Sequence, residues 1–161
     1  QELEGFIYTV INNIVTPATF SAYGLSALFD TNYILTTFIR DGAYVSSVVS
    51  ADGIARDLPI LALKEKCVFS ENNANYLWCA APIANISTSF VEDWYKGITT
   101  SNDSLWQVNI ASQSAQLYAT PEILTGRTID VQNIAISSTG TLLTFTNKSD
   151  QTLWLFDTTA N

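Results

Sequence analysis

"LLTFTNKSDQTLWLFDT", residues 142–158, sets two apolar runs on either side of a polar turn. Runs such as "TLLTF" are rich in β-branched and aromatic residues, which fit a pleated surface. Ser149-Asp150 supplies the turn chemistry between them. The phrase therefore reads as a β-hairpin. Nearly the same pattern, in different letters, occurs twice earlier in the chain.

Three segments can be laid over one another: "LSALFDTNYILTTFIRDGAYVSSVVSADG" (25–53), "KCVFSENNANYLWCAAP" (66–82) resumed by "NDSLWQVNIASQSAQLY" (102–118), and "NIAISSTGTLLTFTNKSDQTLWLFDTT" (133–159). Leu35, Trp78 and Leu143 occupy matching positions of the second strand, and Val45, Leu105 and Leu153 of the third. The step between the two sets is 10 residues in the first and third copies and 27 in the middle one. The middle copy therefore holds 17 extra residues (27 − 10). A period of roughly 40–50 residues with four strands is the spacing of propeller blades. Asp30-Thr31-Asn32, Asp41-Gly42, Asp52-Gly53 and Thr139-Gly140 punctuate the strands, and no helical periodicity of 3.6 is visible.

The expected architecture is all-β: a β-propeller-type repeat of antiparallel four-stranded blades within a single partial domain, residues 1–161. Residues 22–60 form one blade and 64–119 a second, interrupted at 83–103. Residues 129–159 form a third, lacking its fourth strand. Fourth strands are expected in "IARDLPI" (54–60) and "AQLYA" (115–119). Residues 4–20 read as the outer strands of a preceding blade, since "FIYTV" aligns with "LWQVN" and "LWLFD". A blade needs neighbours to bury its faces, so a completing segment or second chain is expected. A β-sandwich with a coincidental period is the alternative.

The stretches "EKCVFSENNANYLWCAAPI", "FVEDWYKGI", "NDSLWQVNIASQSAQLY" and "TLLTFTNKSDQTLWLFD", spanning residues 64–158, resemble exported propeller-like proteins of candidate-phylum bacteria (Parcubacteria and their relatives). More distantly they are similar to the TolB-type and WD40-like repeat superfamily. The Gly-His and Trp-Asp signatures of WD40 repeats are absent. The resemblance implies a propeller fold and an extracytoplasmic, cell-envelope or secreted location; it carries no established activity.

Composition agrees with a folded domain: 47% of residues are apolar and 14% charged. No apolar run approaches the roughly 20 residues of a membrane helix. The chain opens on Gln and contains no Met, which reads as a piece of a longer precursor. A net charge of −8 with scattered basic residues argues against nucleic acid as a partner.

Catalytic options are few. With no His, neither a Ser-His-Asp nor a Cys-His nucleophile system can be assembled. Zinc sites lose their commonest nitrogen ligand, the glycines form no phosphate loop, and no acidic run has calcium-loop spacing. Paired carboxylates could serve glycoside hydrolysis only at a set separation. The expectation is a non-enzymatic chain without cofactor or metal.

Cys67 and Cys79 flank the hairpin "CVFSENNANYLWC". With 71–75 as its loop, Cys67 faces Cys79 and Val68 faces Trp78. Such a pair can form a cross-strand disulfide or remain as two buried thiols.

The segment that holds the 17 extra residues, "IANISTSFVEDWYKGITTSND" (83–103), gathers Phe90, Glu92, Asp93, Trp94, Tyr95 and Lys96. Long loops on a rigid scaffold commonly carry binding. Aromatic residues beside carboxylates suit a protein partner or a sugar ring; equally, Phe90, Trp94 and Tyr95 can fold back over a blade edge. Trp78, Trp106 and Trp154 read as packing residues. Asn85-Ile86-Ser87, Asn102-Asp103-Ser104 and Asn147-Lys148-Ser149 match the N-glycosylation pattern.

The functional expectation is a non-catalytic exported scaffold that binds protein through the propeller surface and the 83–103 loop. The alternatives are a carbohydrate-binding module or an accessory propeller of a larger envelope hydrolase.

Overall fold

A computed structural model describes residues 3–83 and 87–159. The chain is all-β, with four antiparallel sheets among the described residues, taken up in chain order. Sheet I pairs β1 (Glu4–Ile11) with β2 (Ile14–Tyr23). Sheet II runs β3 (Ser26–Phe29), β4 (Tyr33–Arg40), β5 (Ala43–Ser50), β6 (Ala55–Asp57). Sheet III runs β7 (Cys67–Phe69), β8 (Tyr76–Pro82), β9 (Asp103–Asn109), β10 (Ser114–Ala119). Sheet IV has three strands, β11 (Val131–Ile136), β12 (Leu142–Asn147) and β13 (Leu153–Asp157). Each four-stranded sheet is a meander of neighbours, as the repeat implies.

Turn chemistry sets these registers. Asn12 and Asn13, at φ 50° and 63°, close the first hairpin between Ile11 and Ile14. Asp41 and Gly42, at φ 54° and 78°, do the same between Arg40 and Ala43. Two successive left-handed residues match the twist of the flanking strands.

Alternation along the strands divides the core. From sheet III, Leu77, Cys79 and Val108 pack with Leu35 and Val48 of sheet II. From its other face, Ala80 and Leu105 pack with Val131 and Phe145 of sheet IV. Sheet III is thus covered on both sides, and β8 is buried along nearly its whole length. The second-strand positions Leu35, Trp78 and Leu143 are all buried. The third-strand set is not equivalent: Leu105 is buried, Val45 half-buried, and Leu153 is 78% exposed on the edge of sheet IV.

Two details depart from expectation. The first hairpin reaches Tyr23 rather than residue 20, and only Gly24 and Leu25 link it to β3. Its contact with sheet II includes an edge-on meeting of Phe20 and Phe38, with centroids 5.2 Å apart. Two short helices also occur, α1 (Phe90–Tyr95) and α2 (Pro121–Thr125). Neither is long enough to display a 3.6-residue period, so sequence reading passes over them.

The β7–β8 register pairs Cys67 with Cys79, Val68 with Trp78 and Phe69 with Leu77, as the loop length requires. The Ser70 N–H donates to the Tyr76 carbonyl, so alternation makes Cys67–Cys79 a non-hydrogen-bonded pair. Its Cα atoms lie 4.1 Å apart, and the two sulfurs are joined as a disulfide. The bridge staples the β7–β8 hairpin of sheet III.

Candidate functional site

The segment between β8 and β9 sorts its described side chains by helix face. Residues 84–86, with Asn85, lie outside the described residues. From Phe90, helix α1 makes less than two turns before Gly97, at φ 72°, ends it. Phe90, Val91 and Trp94 point inward onto Leu63, with Leu61 and Tyr44 beside them. Glu92, Tyr95 and Lys96 point outward, and the Asp93 backbone carbonyl accepts the N–H groups of Ile98 and Thr99.

Trp94 is 2% exposed and enters a polar centre. Its indole N–H donates to both Asp130 oxygens, at 2.8 and 3.0 Å. The Lys66 ammonium, buried at the end of a 3-10 turn (Lys64–Lys66), donates to Ser101 (2.7 Å), Asp103 (2.5 Å) and Asp130 (2.6 Å). Three acceptors match its three N–H donors. The Ser101 hydroxyl donates to Asp130, the Val131 N–H to Asp103, and Asn147 Oδ1 accepts the Asp130 N–H. Lys148 lies over the Trp94 ring at 3.7 Å and donates to its carbonyl. One centre thus ties the 83–103 segment to sheets III and IV.

The two carboxylates differ. Burial pushes the Asp103 carboxyl above the ordinary carboxylate range, against the pull of Lys66. Its Oδ1 is buried and has no hydrogen-bond partner among the described residues. For Asp130 burial acts in the same upward sense, yet the Lys66 charge and the hydrogen bonds from Lys66, Trp94 and Ser101 outweigh it and hold the group low.

Outside, Tyr95 donates its hydroxyl to Glu65 at 2.7 Å, and burial together with that carboxylate raises its pKa well above the usual phenol value. Lys96 pairs with Glu92 one turn away, at 2.6 Å. Tyr95, Glu92, Lys96, Glu65, Tyr44 and Ile39 line an open cleft of about 630 Å³ between this helix and the start of sheet II. Of the six residues singled out by sequence, Glu92, Tyr95 and Lys96 share this cleft, Phe90 and Trp94 lie inside, and Asp93 is half-buried and does not line the cleft. Asn102 donates to Glu122 at the surface, whereas Asn147 is buried.

Sequence reading missed Lys66, Ser101, Asp103 and Asp130. They are dispersed through the chain, and only the fold brings them together. Among the described residues no group of His, Cys, Asp or Glu is arranged to hold a metal ion, and no helix is long and apolar enough to cross a membrane. Comparison with protein-family models, curated proteins and solved structures finds no match to this chain.

Proposed function

We propose that the chain is an arc of a β-propeller of the TolB and WD40-like kind, from an exported or cell-envelope protein. In this reading it is a non-catalytic scaffold that binds a protein partner through the cleft beside α1. The observation that carries the binding role is the two-faced helix. Phe90, Val91 and Trp94 lock it to the interior, while Glu92, Tyr95 and Lys96 are held out along a cleft. A rigid aromatic residue rimmed by charges of both signs suits recognition of a polypeptide surface.

The propeller reading is supported by the repeated meander and by sheet III being packed on both faces. A two-layer sandwich covers each sheet on one face only. Export is supported by the disulfide, since such bonds persist in oxidising compartments. A non-catalytic role is supported by the absence of His and by the interior acids being engaged with Lys66 rather than facing a cleft.

A photo-crosslinking residue placed at position 96 tests the protein-binding role in the native envelope. A discrete adduct that Tyr95→Ala reduces about tenfold is expected; no adduct, or one indifferent to Tyr95, refutes it. The second reading, a carbohydrate site, draws on Tyr44 and Tyr95 lining one cleft with Glu65 and Glu92. Binding on a glycan array that Tyr95→Ala abolishes would favour it.

A further inference from the structure

The Lys66 amine and both of its acids are withdrawn from water, with side chains no more than 1% exposed. The Trp94 ring lies over the amine, its centroid 4.6 Å from Nζ. Nζ is 2.5 Å from Asp103 Oδ2, so the carboxyl carbon is one C–O bond further on. The same Oδ2 accepts the Val131 N–H at 2.8 Å, whereas Oδ1 has no partner among the described residues. The amine also meets Asp130 Oδ1 at 2.6 Å. An ion pair alone leaves the unpartnered oxygen of Asp103 unexplained. As a neutral carboxyl, Asp103 has a carbonyl oxygen at Oδ2, polarised by the Val131 N–H, and a hydroxyl at Oδ1 free to depart.

An amine, an acid open to attack and a base are thus held together in a dry site. We infer that Lys66 and Asp103 condense in the folded chain to an isopeptide bond, with Asp130 as the base. The step balances within the chain. Asp130 takes one proton from the Lys66 ammonium, and the freed amine adds to Asp103 Cγ while Oδ2 takes the negative charge. The Val131 N–H is placed to stabilise that oxyanion. Asp130 then gives its proton to Oδ1, which leaves as water as the C=O bond re-forms, and removes the second proton from nitrogen. An amide, one water and a neutral Asp130 result, with no oxidant or other co-reactant.

Fixed proximity of amine and carboxyl raises their effective concentration by several powers of ten. Condensation also replaces a buried ion pair, which is costly to desolvate, by neutral groups. The two acids are biased toward these roles. At Asp103 burial outweighs the pull of Lys66 and favours the neutral form; at Asp130 burial is outweighed by Lys66 and the anion is favoured. Until the bond forms, the centre is the ion-paired network, and its acids titrate as free groups. The reaction is a single turnover of the chain on itself and stands apart from the binding role. Its product joins the start of β9 to the residue before β7, across a span of 37 residues that includes β8. With Cys67 bonded to Cys79, three neighbouring strands of sheet III are then covalently linked.

The mass of the intact chain, taken under denaturing conditions after its disulfide is reduced, tests the inference. A species lighter than the sequence by one water is expected, with a branched proteolytic peptide joining the Lys66 and Asp103 segments. Lys66→Met and Asp130→Ala should each restore the full sequence mass. Because either variant can fail to fold, the parent chain itself decides: full mass in folded protein aged at neutral pH overturns the inference. A lost water traced to a succinimide at Asp41-Gly42 or Asp52-Gly53, with no branched peptide, overturns it equally. A branch from Lys66 to Asp130 overturns the assignment of Asp103 as the acid attacked. A branch that persists in folded Asp130→Ala overturns the assignment of the base.

Discussion

Asp130 and Asp103 share one lysine and one buried setting, yet they should answer substitution differently. Asp130 accepts from Lys66, Ser101 and Trp94, whereas Asp103 Oδ1 has no partner among the described residues. Asp130→Asn is expected to cost about 3 kcal/mol, the order found when a buried pair loses one partner. Asp103→Asn should cost about 1–2 kcal/mol, because its amide can remain paired on one side. Urea unfolding of the two variants measures the difference. The dependence on pH has opposite signs. Asp130, held low when folded, contributes stability that is present above the ordinary carboxylate pKa and lost as pH falls through its folded value. Asp103, raised when folded, contributes stability that is present below that pKa and lost as pH rises through its folded value. From about pH 3 to 7, the stability gap between the parent chain and Asp130→Asn should widen, and the gap to Asp103→Asn should narrow. Parallel curves would refute this assignment.

At the level of elements, the central hairpin and the turns carry the testable weight. Replacing both Cys67 and Cys79 by Ala should lower stability by about 2–4 kcal/mol, read as a shift in the denaturation midpoint with unchanged slope. Gly53 and Gly140 are both left-handed, at φ 82° and 74°, but their surroundings differ. A Cβ at Gly53 meets nothing, whereas one at Gly140 would lie 2.3 Å from Asn72 Nδ2. That amide donates to the Thr139 carbonyl and so joins sheet III to sheet IV. Gly53→Ala should therefore cost about 1 kcal/mol for backbone strain. Gly140→Ala should cost more, roughly 2–3 kcal/mol, since it also breaks a bridge between sheets. Thermal unfolding of the two variants separates the effects.

Over the whole molecule, the sequence was most legible where chemistry is local. The pairing of Cys67 with Cys79 follows from a five-residue loop, and the Asp-Gly and Asn-containing turns fall between strands because few residues accept their backbone angles. The buried positions Leu35, Trp78 and Leu143 recur for the same reason that the meander does. Leu153 escaped this logic, since its exposure depends on a neighbouring sheet rather than on its own strand. The candidate site was half legible. Its outward residues could be named from composition, but nothing local marks Trp94 as an interior donor or Lys66 as its companion. Lys66 and Asp130 meet across 64 residues of chain.

That separation has a consequence for the order of assembly. Each sheet can form from neighbouring strands, and Asp103 reaches Lys66 within sheet III, but Asp130 meets that ammonium only once the linker after sheet III has closed over it. The Asp130 contact is therefore expected late on the folding path, after the rate-limiting step. Lys66→Met should accelerate unfolding by about tenfold or more while leaving refolding nearly unchanged, as stopped-flow fluorescence of the tryptophans would record. The lysine is in that sense a latch, closed last and governing how long the native state endures.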